Sequence, residues 1–163
     1  MTDFFRLKFI NELNKYKKVD MGGRHKNNVG KVIDKVYFLS FYKFSIAMEN
    51  TEGDGYASEK IAESFISGTI PIYYGSYMMD EYINPKAFIL IRGEKDMMKK
   101  IEYIKKIDNN NELYRKILKE NILIDENIAK KNRKEYEEFF YHIFLQDKNK
   151  AKRVDHQKIK IIN

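Results

Sequence analysis

Three short apolar runs, each closed by a turn signal and separated by helical patterns, constrain the fold of this chain more than any other feature. "KFSIAME" at residues 43–49 alternates Phe44, Ile46 and Met48, the period of a strand with one buried face. "TIPIYYG" at 69–75 and "AFILI" at 87–91 are continuous apolar runs, ended by Gly75 and by Arg92-Gly93, and read as buried strands. Between the first two, "ASEKIAESFIS" puts Ala57, Ile61, Ser64 and Phe65 on one helical face and Glu59, Lys60 and Glu63 elsewhere. Strand, helix, strand, helix-like link, strand, helix is the order that builds a mostly parallel sheet with helices on its faces.

The flanks are helical. "DFFRLKFINELNKY" sets Phe5, Phe9, Ile10 and Leu13 on one stripe and leaves Arg6 off it. "VDMGGRHKNNVG" breaks the pattern with three glycines and two asparagines and reads as a loop. A second helix is predicted over residues 30–41. From Glu94 to about Gln146, three further helical patterns are separated by "DNNN" and "NILIDEN". The last carries Ile128, Tyr136, Phe139, Phe140, Ile143 and Phe144, a stripe expected to be core. One α/β domain over residues 1–147 and a basic tail over 148–163 account for the chain, and 163 residues suffice for a single core.

Composition narrows the function classes. The apolar share of 43% and charged share of 34% are those of a soluble globular protein, and no apolar run can span a bilayer. The N-terminus has no basic flank leading into an apolar signal segment, so the expected location is cytoplasmic. Cysteine is absent, and His25, His142 and His156 are scattered without metal-ligand spacing, so no metal or other cofactor is expected. The net charge of +7 calls for an anionic partner: nucleic acid, a membrane surface or a phosphorylated small molecule. Basic residues spread over amphipathic helices and mixed with acids speak against nucleic acid, which wants them interleaved with exposed aromatics on one surface.

The turn "ENTEGDGYASEK", residues 49–60, is where chemistry is expected. It follows a strand and opens a helix, so it faces the crevice in which α/β sheets bind ligands. There the helix offers unpaired N–H groups and the positive end of its dipole to phosphate. Gly53 and Gly55 permit positive φ or close approach, Lys60 brings a full charge, Glu59 suits a pair of sugar hydroxyls, and Tyr56 brings a flat face and a hydroxyl. The same residues also fit ordinary capping, a solvated lysine and turn-making glycines. Spacing does not separate the two readings, and neither GxGxxG nor GxxxxGK[ST] is present.

"YKFSIAMENTEGDGYASEKIAESFISGTIPIYYG" followed by "YINPKAFILI" resembles the donor-binding motif of the α-1,3-fucosyltransferases, notably their bacterial members. The resemblance runs from about Arg6 to Ile107 and includes "VDMGGRHKNN". Ala57-Ser58 stands where Val-Thr is commoner, Tyr74 replaces Trp, and Ala87 replaces Ser. The resemblance implies a Rossmann-like three-layer domain, the carboxyl-terminal half of a GT-B fold, that holds GDP-fucose. It implies that Lys60 and Arg6 pair with the diphosphate and that Glu59 takes hydroxyls of ribose or fucose. Tyr56 and Asn50 would line the pocket, with Glu49, Gly55 and Tyr74 beside them. The implied activity is inverting transfer of fucose to a glycan hydroxyl, without an obligatory metal. Glu52 and Asp54 could attract a cation but read as solvated acids.

In the resembled enzymes the catalytic base belongs to the amino-terminal, acceptor-binding half. This chain matches the donor half, so the base is expected elsewhere, on a longer polypeptide or a separate chain, with weak activity or none for this part alone. A nucleotide-sugar binding module or pseudoenzyme subunit without turnover is the alternative. The tail "KNKAKRVDHQKIKIIN", with six Lys or Arg in sixteen residues, fits either a solvated end or contact with an inner membrane surface where lipid-linked glycans such as lipopolysaccharide are built.

Overall fold

The computed structural model describes residues 2–23, 26–51, 53 and 55–145. The chain divides into two units, residues 1–124 and 125–163. In the first, strands β1 (Phe44–Met48), β2 (Ile70–Tyr74) and β3 (Ile89–Leu90) form a parallel sheet in that order. Phe44 is level with Ile70, Met48 with Tyr74, and Ile72 with Ile89.

Because side chains alternate across a strand, each face of the sheet collects its own core. Met48, Ile70, Ile72 and Ile89 pack with Phe5, Phe9 and Leu13 of α1 (Thr2–Asn14) and with Ile101 and Ile104 of α5 (Glu94–Asp108). Ile117 of α6 (Asn111–Leu118) closes that side. On the other face Ala47, Tyr73, Phe88 and Leu90 meet Ile61 of α3 (Glu59–Ile66) and Met79 of α4 (Met79–Tyr82). The three-layer α/β architecture expected from the sequence is therefore what this unit adopts. Each fully buried isoleucine contributes roughly 1.5–3 kcal/mol, and Ile70, Ile72, Ile89, Ile91, Ile101 and Ile107 are all so placed.

Helix ends follow local chemistry. Ser58 caps α3 in extended conformation, Asn110 accepts from the N–H of Leu113 at 2.9 Å to start α6, and Lys105 and Lys106 face the negative end of the α5 dipole. The helix predicted over 30–41 is shorter, α2 (Lys35–Leu39), because it begins only where Asp34 accepts from the N–H of Tyr37. Ala57, expected on the α3 face, is exposed and precedes the helix.

The second unit contains α7 (Ile128–Leu145). Its aromatic stripe is not core: Tyr136, Phe139, Phe140 and Phe144 are exposed, with the rings of Phe140 and Phe144 stacked at 6.2 Å. The basic tail lies outside the described residues.

Candidate donor-binding site at the carboxyl end of the sheet

Parallel strands end together, so Met48 and Tyr74 bring the chain to the same edge of the sheet. The strand pairing continues one residue further, where the N–H of Glu49 donates to the carbonyl of Tyr74 at 2.8 Å. Alternation then turns the Glu49 side chain to the face of Ala47, under α3. It is 1% exposed, the only charged residue so buried among those described.

Glu49 is fully engaged. The Ser58 N–H donates to its Oε1 at 2.8 Å, the Ser58 hydroxyl lies 2.9 Å from Oε1 and 2.7 Å from Oε2, and the Lys60 ammonium donates to Oε2 at 2.9 Å. Burial pushes this carboxyl up, but Lys60 and the two Ser58 donors outweigh it and hold the group below its ordinary range. Lys60 also donates to the Ser58 hydroxyl at 3.0 Å, and its side chain keeps 22% exposure.

Arg6 reaches the same place from α1. Its guanidinium donates to the carbonyls of Met48 and Glu49 at 3.0 and 3.1 Å and to Asn50 Oδ1 at 2.8 Å. The loop that follows is folded back by its backbone. Gly55 sits at φ +76 and its N–H donates to Ser76 Oγ at 3.1 Å, while the Tyr56 N–H donates to the Gly53 carbonyl. Tyr56 is 47% exposed and Glu59 is exposed at the first position of α3. An open groove of about 1450 Å³ has Arg6, Met48 and Lys60 in its wall, with Ile10, Phe38 and Ile46 among its apolar lining.

Of the residues singled out from sequence, Arg6, Glu49, Asn50 and Lys60 form one hydrogen-bonded cluster. Tyr56, Glu59 and Gly55 are exposed at the rim of that cluster. Tyr74 lies in the core, its ring stacked on Phe5 at 4.2 Å. Glu52 and Asp54 fall outside the described residues, among which no cluster of acids or histidines has the makings of a metal site. Two further residues complete the site. Ser58 bridges Glu49 and Lys60, a role foreshadowed by its place just before a helical pattern. Ser76 anchors Gly55 from beyond β2, and no sequence signal marks it.

A layered parallel α/β domain with two cations and a helix N-terminus at the carboxyl ends of its strands belongs to the class of folds that receive ligands in that crevice. The chain is a member of glycosyltransferase family 10 (fucosyltransferase), whose carboxyl-terminal family model matches residues 2–139. It is 40% identical over 116 residues to the alpha-(1,3)-fucosyltransferase FucT of Helicobacter pylori, covering 71% of this chain and 24% of that protein. Among solved structures it is similar to an alpha1,3-fucosyltransferase at 34% identity and TM-score 0.82, covering 90% of this chain and 43% of that one. A structure of alpha1,3-fucosyltransferase with GDP-fucose is similar at 38% identity and TM-score 0.70, covering 74% and 36%. The chain thus spans about a quarter of the length of the curated relatives it matches.

Proposed function

We propose that this chain is the donor-binding part of an inverting α-1,3-fucosyltransferase and holds GDP-fucose at the start of α3. The observation that carries the reading is the convergence of Arg6 and Lys60 on Glu49, from elements far apart in sequence, beside a helix N-terminus. The pair of phosphates would lie against the first turn of α3, between the two cations. Glu59 at the rim would accept hydroxyls of ribose or fucose, and Asn50, Tyr56 and Gly55 would border the ligand. A groove of about 1450 Å³ is ample for a nucleotide sugar.

The chemistry follows from this placement. As the bond from fucose to the diphosphate breaks, positive charge spreads over the sugar ring and negative charge grows on the departing phosphate. Cations fixed beforehand next to that phosphate stabilise the developing charge without reorganising. The acceptor hydroxyl must also lose a proton. Glu49 is unsuited to accept it, being buried and occupied by Ser58 and Lys60. We assign that base, and the glycan-binding surface, to polypeptide beyond these 163 residues, so that this part alone transfers fucose poorly. A bacterial enzyme working on lipid-linked glycans such as lipopolysaccharide, with the basic tail against the inner membrane, is the cellular setting we favour.

Titration of the chain with GDP-fucose, GDP-mannose and UDP-galactose tests the assignment. The guanine nucleotides should bind and the uridine sugar should not, and Lys60→Ala should weaken GDP-fucose by about tenfold or more, the worth of one charge-assisted hydrogen bond. No heat of binding from GDP-fucose at millimolar concentration overturns it.

A further inference from the structure

We infer that Glu49 is a positioning residue whose carboxylate sets the aim of Lys60, the phosphate-facing cation of α3. The inference rests on the donor-binding reading above and deepens it. Among the described residues no other charged group is buried so completely, and a carboxylate in that position is destabilising unless its partners serve it well. Its carbonyl takes Arg6 at 3.1 Å and its carboxylate takes Lys60 at 2.9 Å. The carboxylate thus fixes Lys60 relative to the end of β1, while Arg6 is held there by the backbone carbonyls of Met48 and Glu49 and by Asn50.

The geometry at Lys60 specifies what is aimed. An ammonium has three N–H bonds. One goes to Glu49 Oε2 and one to the Ser58 hydroxyl, and the third meets no acceptor among the described residues. With two directions fixed, the third is fixed too, and Lys60 itself stands in the groove wall with 22% of its side chain exposed. Held otherwise, lysine carries rotamer freedom that a ligand would have to quench. Glu49 removes that freedom before the donor arrives, at the expense of partly neutralising the charge that the donor meets.

The test is a double-mutant cycle read as affinity of the full 163-residue chain for GDP. Glu49→Gln keeps the shape and an acceptor for the Ser58 N–H but presents no charge to Lys60. It should weaken GDP by about tenfold, as should Lys60→Ala, and the double variant should be no weaker than Lys60→Ala alone, since coupled residues are non-additive. A purely structural Glu49 leaves the two losses multiplicative, about a hundredfold together. That result, or wild-type affinity in Glu49→Gln, overturns the inference while the donor site stands. Absence of GDP binding by the unmodified chain removes both. Should Glu49→Gln not fold, Glu49→Asp answers instead. Charge on a shorter arm should give an intermediate loss that vanishes in the Lys60→Ala background, and a loss that persists there overturns the inference.

Discussion

The two ends of β1 carry the same kind of interaction in different surroundings. At the amino end Lys43 donates to the Asp108 carbonyl at 2.9 Å and lies 3.4 Å from its carboxylate, which also takes the Lys17 ammonium at 2.7 Å and the Tyr16 hydroxyl at 3.0 Å. At the carboxyl end Glu49 takes Lys60 and Ser58. Asp108 is nearly as buried as Glu49, with 8% of its side chain exposed, but Lys17 is 71% exposed and stays in water. Lys60 is mostly enclosed. The amino end is a tie between α1, α5 and β1 that solvent can replace. The carboxyl end is desolvated on both sides of the pair, beside the crevice where parallel sheets bind ligands. An ion pair holds the fold at one end, and at the other, on the proposed donor-binding reading, it holds a tool.

The largest expected effect breaks this symmetry directly. Lys60→Ala leaves a buried carboxylate without its counter-ion, which destabilises by about 3 kcal/mol. Lys17→Ala removes a solvated partner and should cost about 1 kcal/mol or less. Urea unfolding midpoints of the two variants measure the difference, and equal midpoints would show the two ends to be equivalent.

Next comes Gly75, which ends β2 beside Glu49. A Cβ there would meet the Tyr73 hydroxyl at 2.6 Å and Glu49 Cγ at 2.7 Å. Both neighbours are fixed, Tyr73 by burial and by the Ser76 N–H that donates to its hydroxyl at 3.2 Å. Gly75→Ala should therefore destabilise by about 1–3 kcal/mol through overpacking and also weaken GDP by displacing Glu49. Gly23→Ala, where the added carbon meets nothing within 4 Å, should do neither.

Much of this frame was legible in the sequence because burial writes a period. Phe5, Phe9 and Leu13 recur at helical spacing, and the strand runs are apolar where both faces of the sheet are covered. Periodicity tells which residues share a face and is silent on what covers it, so the stripe of α7 read as core and is exposed. The start of α2 depends on one capping contact by Asp34, beyond the reach of an apolar pattern. In the site, Lys60 and Glu59 were visible beside the turn. Arg6 was tied to it only through family resemblance, since its hydrogen bonds cross 42 to 44 residues of sequence. The partner of Glu49 was also legible. Continuing the strand alternation one step past Met48 puts its carboxylate under α3, where a charge needs a partner, and Lys60 is the cation on that helix.

A smaller effect sharpens the comparison from the other side. Asp108→Asn keeps an acceptor for the Tyr16 hydroxyl and loses the charge facing Lys17 and Lys43. With Lys17 71% and Lys43 37% exposed, the loss should be about 1 kcal/mol. GDP affinity should stay as it is, because Asp108, although it also lines the groove, sits at the amino end of β1, away from Lys60. A change in affinity would mean that the tie also shapes the crevice.

The last difference lies in pH. Both carboxyls titrate below their ordinary values of 4.5 for Glu49 and 3.8 for Asp108, each because hydrogen-bonded cations and donors outweigh its burial. The unfolded chain therefore holds these two protons more tightly than the folded one, and stability rises with pH wherever that is so. The contribution is complete above the ordinary values and disappears as pH falls through the depressed ones. Glu49→Gln and Asp108→Asn should each flatten the acid limb of stability below about pH 5. Of the two carboxylates only Glu49 pairs with Lys60. Acid should therefore release Lys60 from its aim in the wild type and in Asp108→Asn alike, and GDP affinity in those two proteins should share an acid dependence that Glu49→Gln lacks. GDP itself takes up protons in acid, so the quantity to compare is the ratio of affinities between variants at each pH, which cancels the ligand's own titration. A constant ratio between wild type and Glu49→Gln from neutral pH downwards would show that the carboxylate's charge, as distinct from its shape, does nothing for the cation it holds.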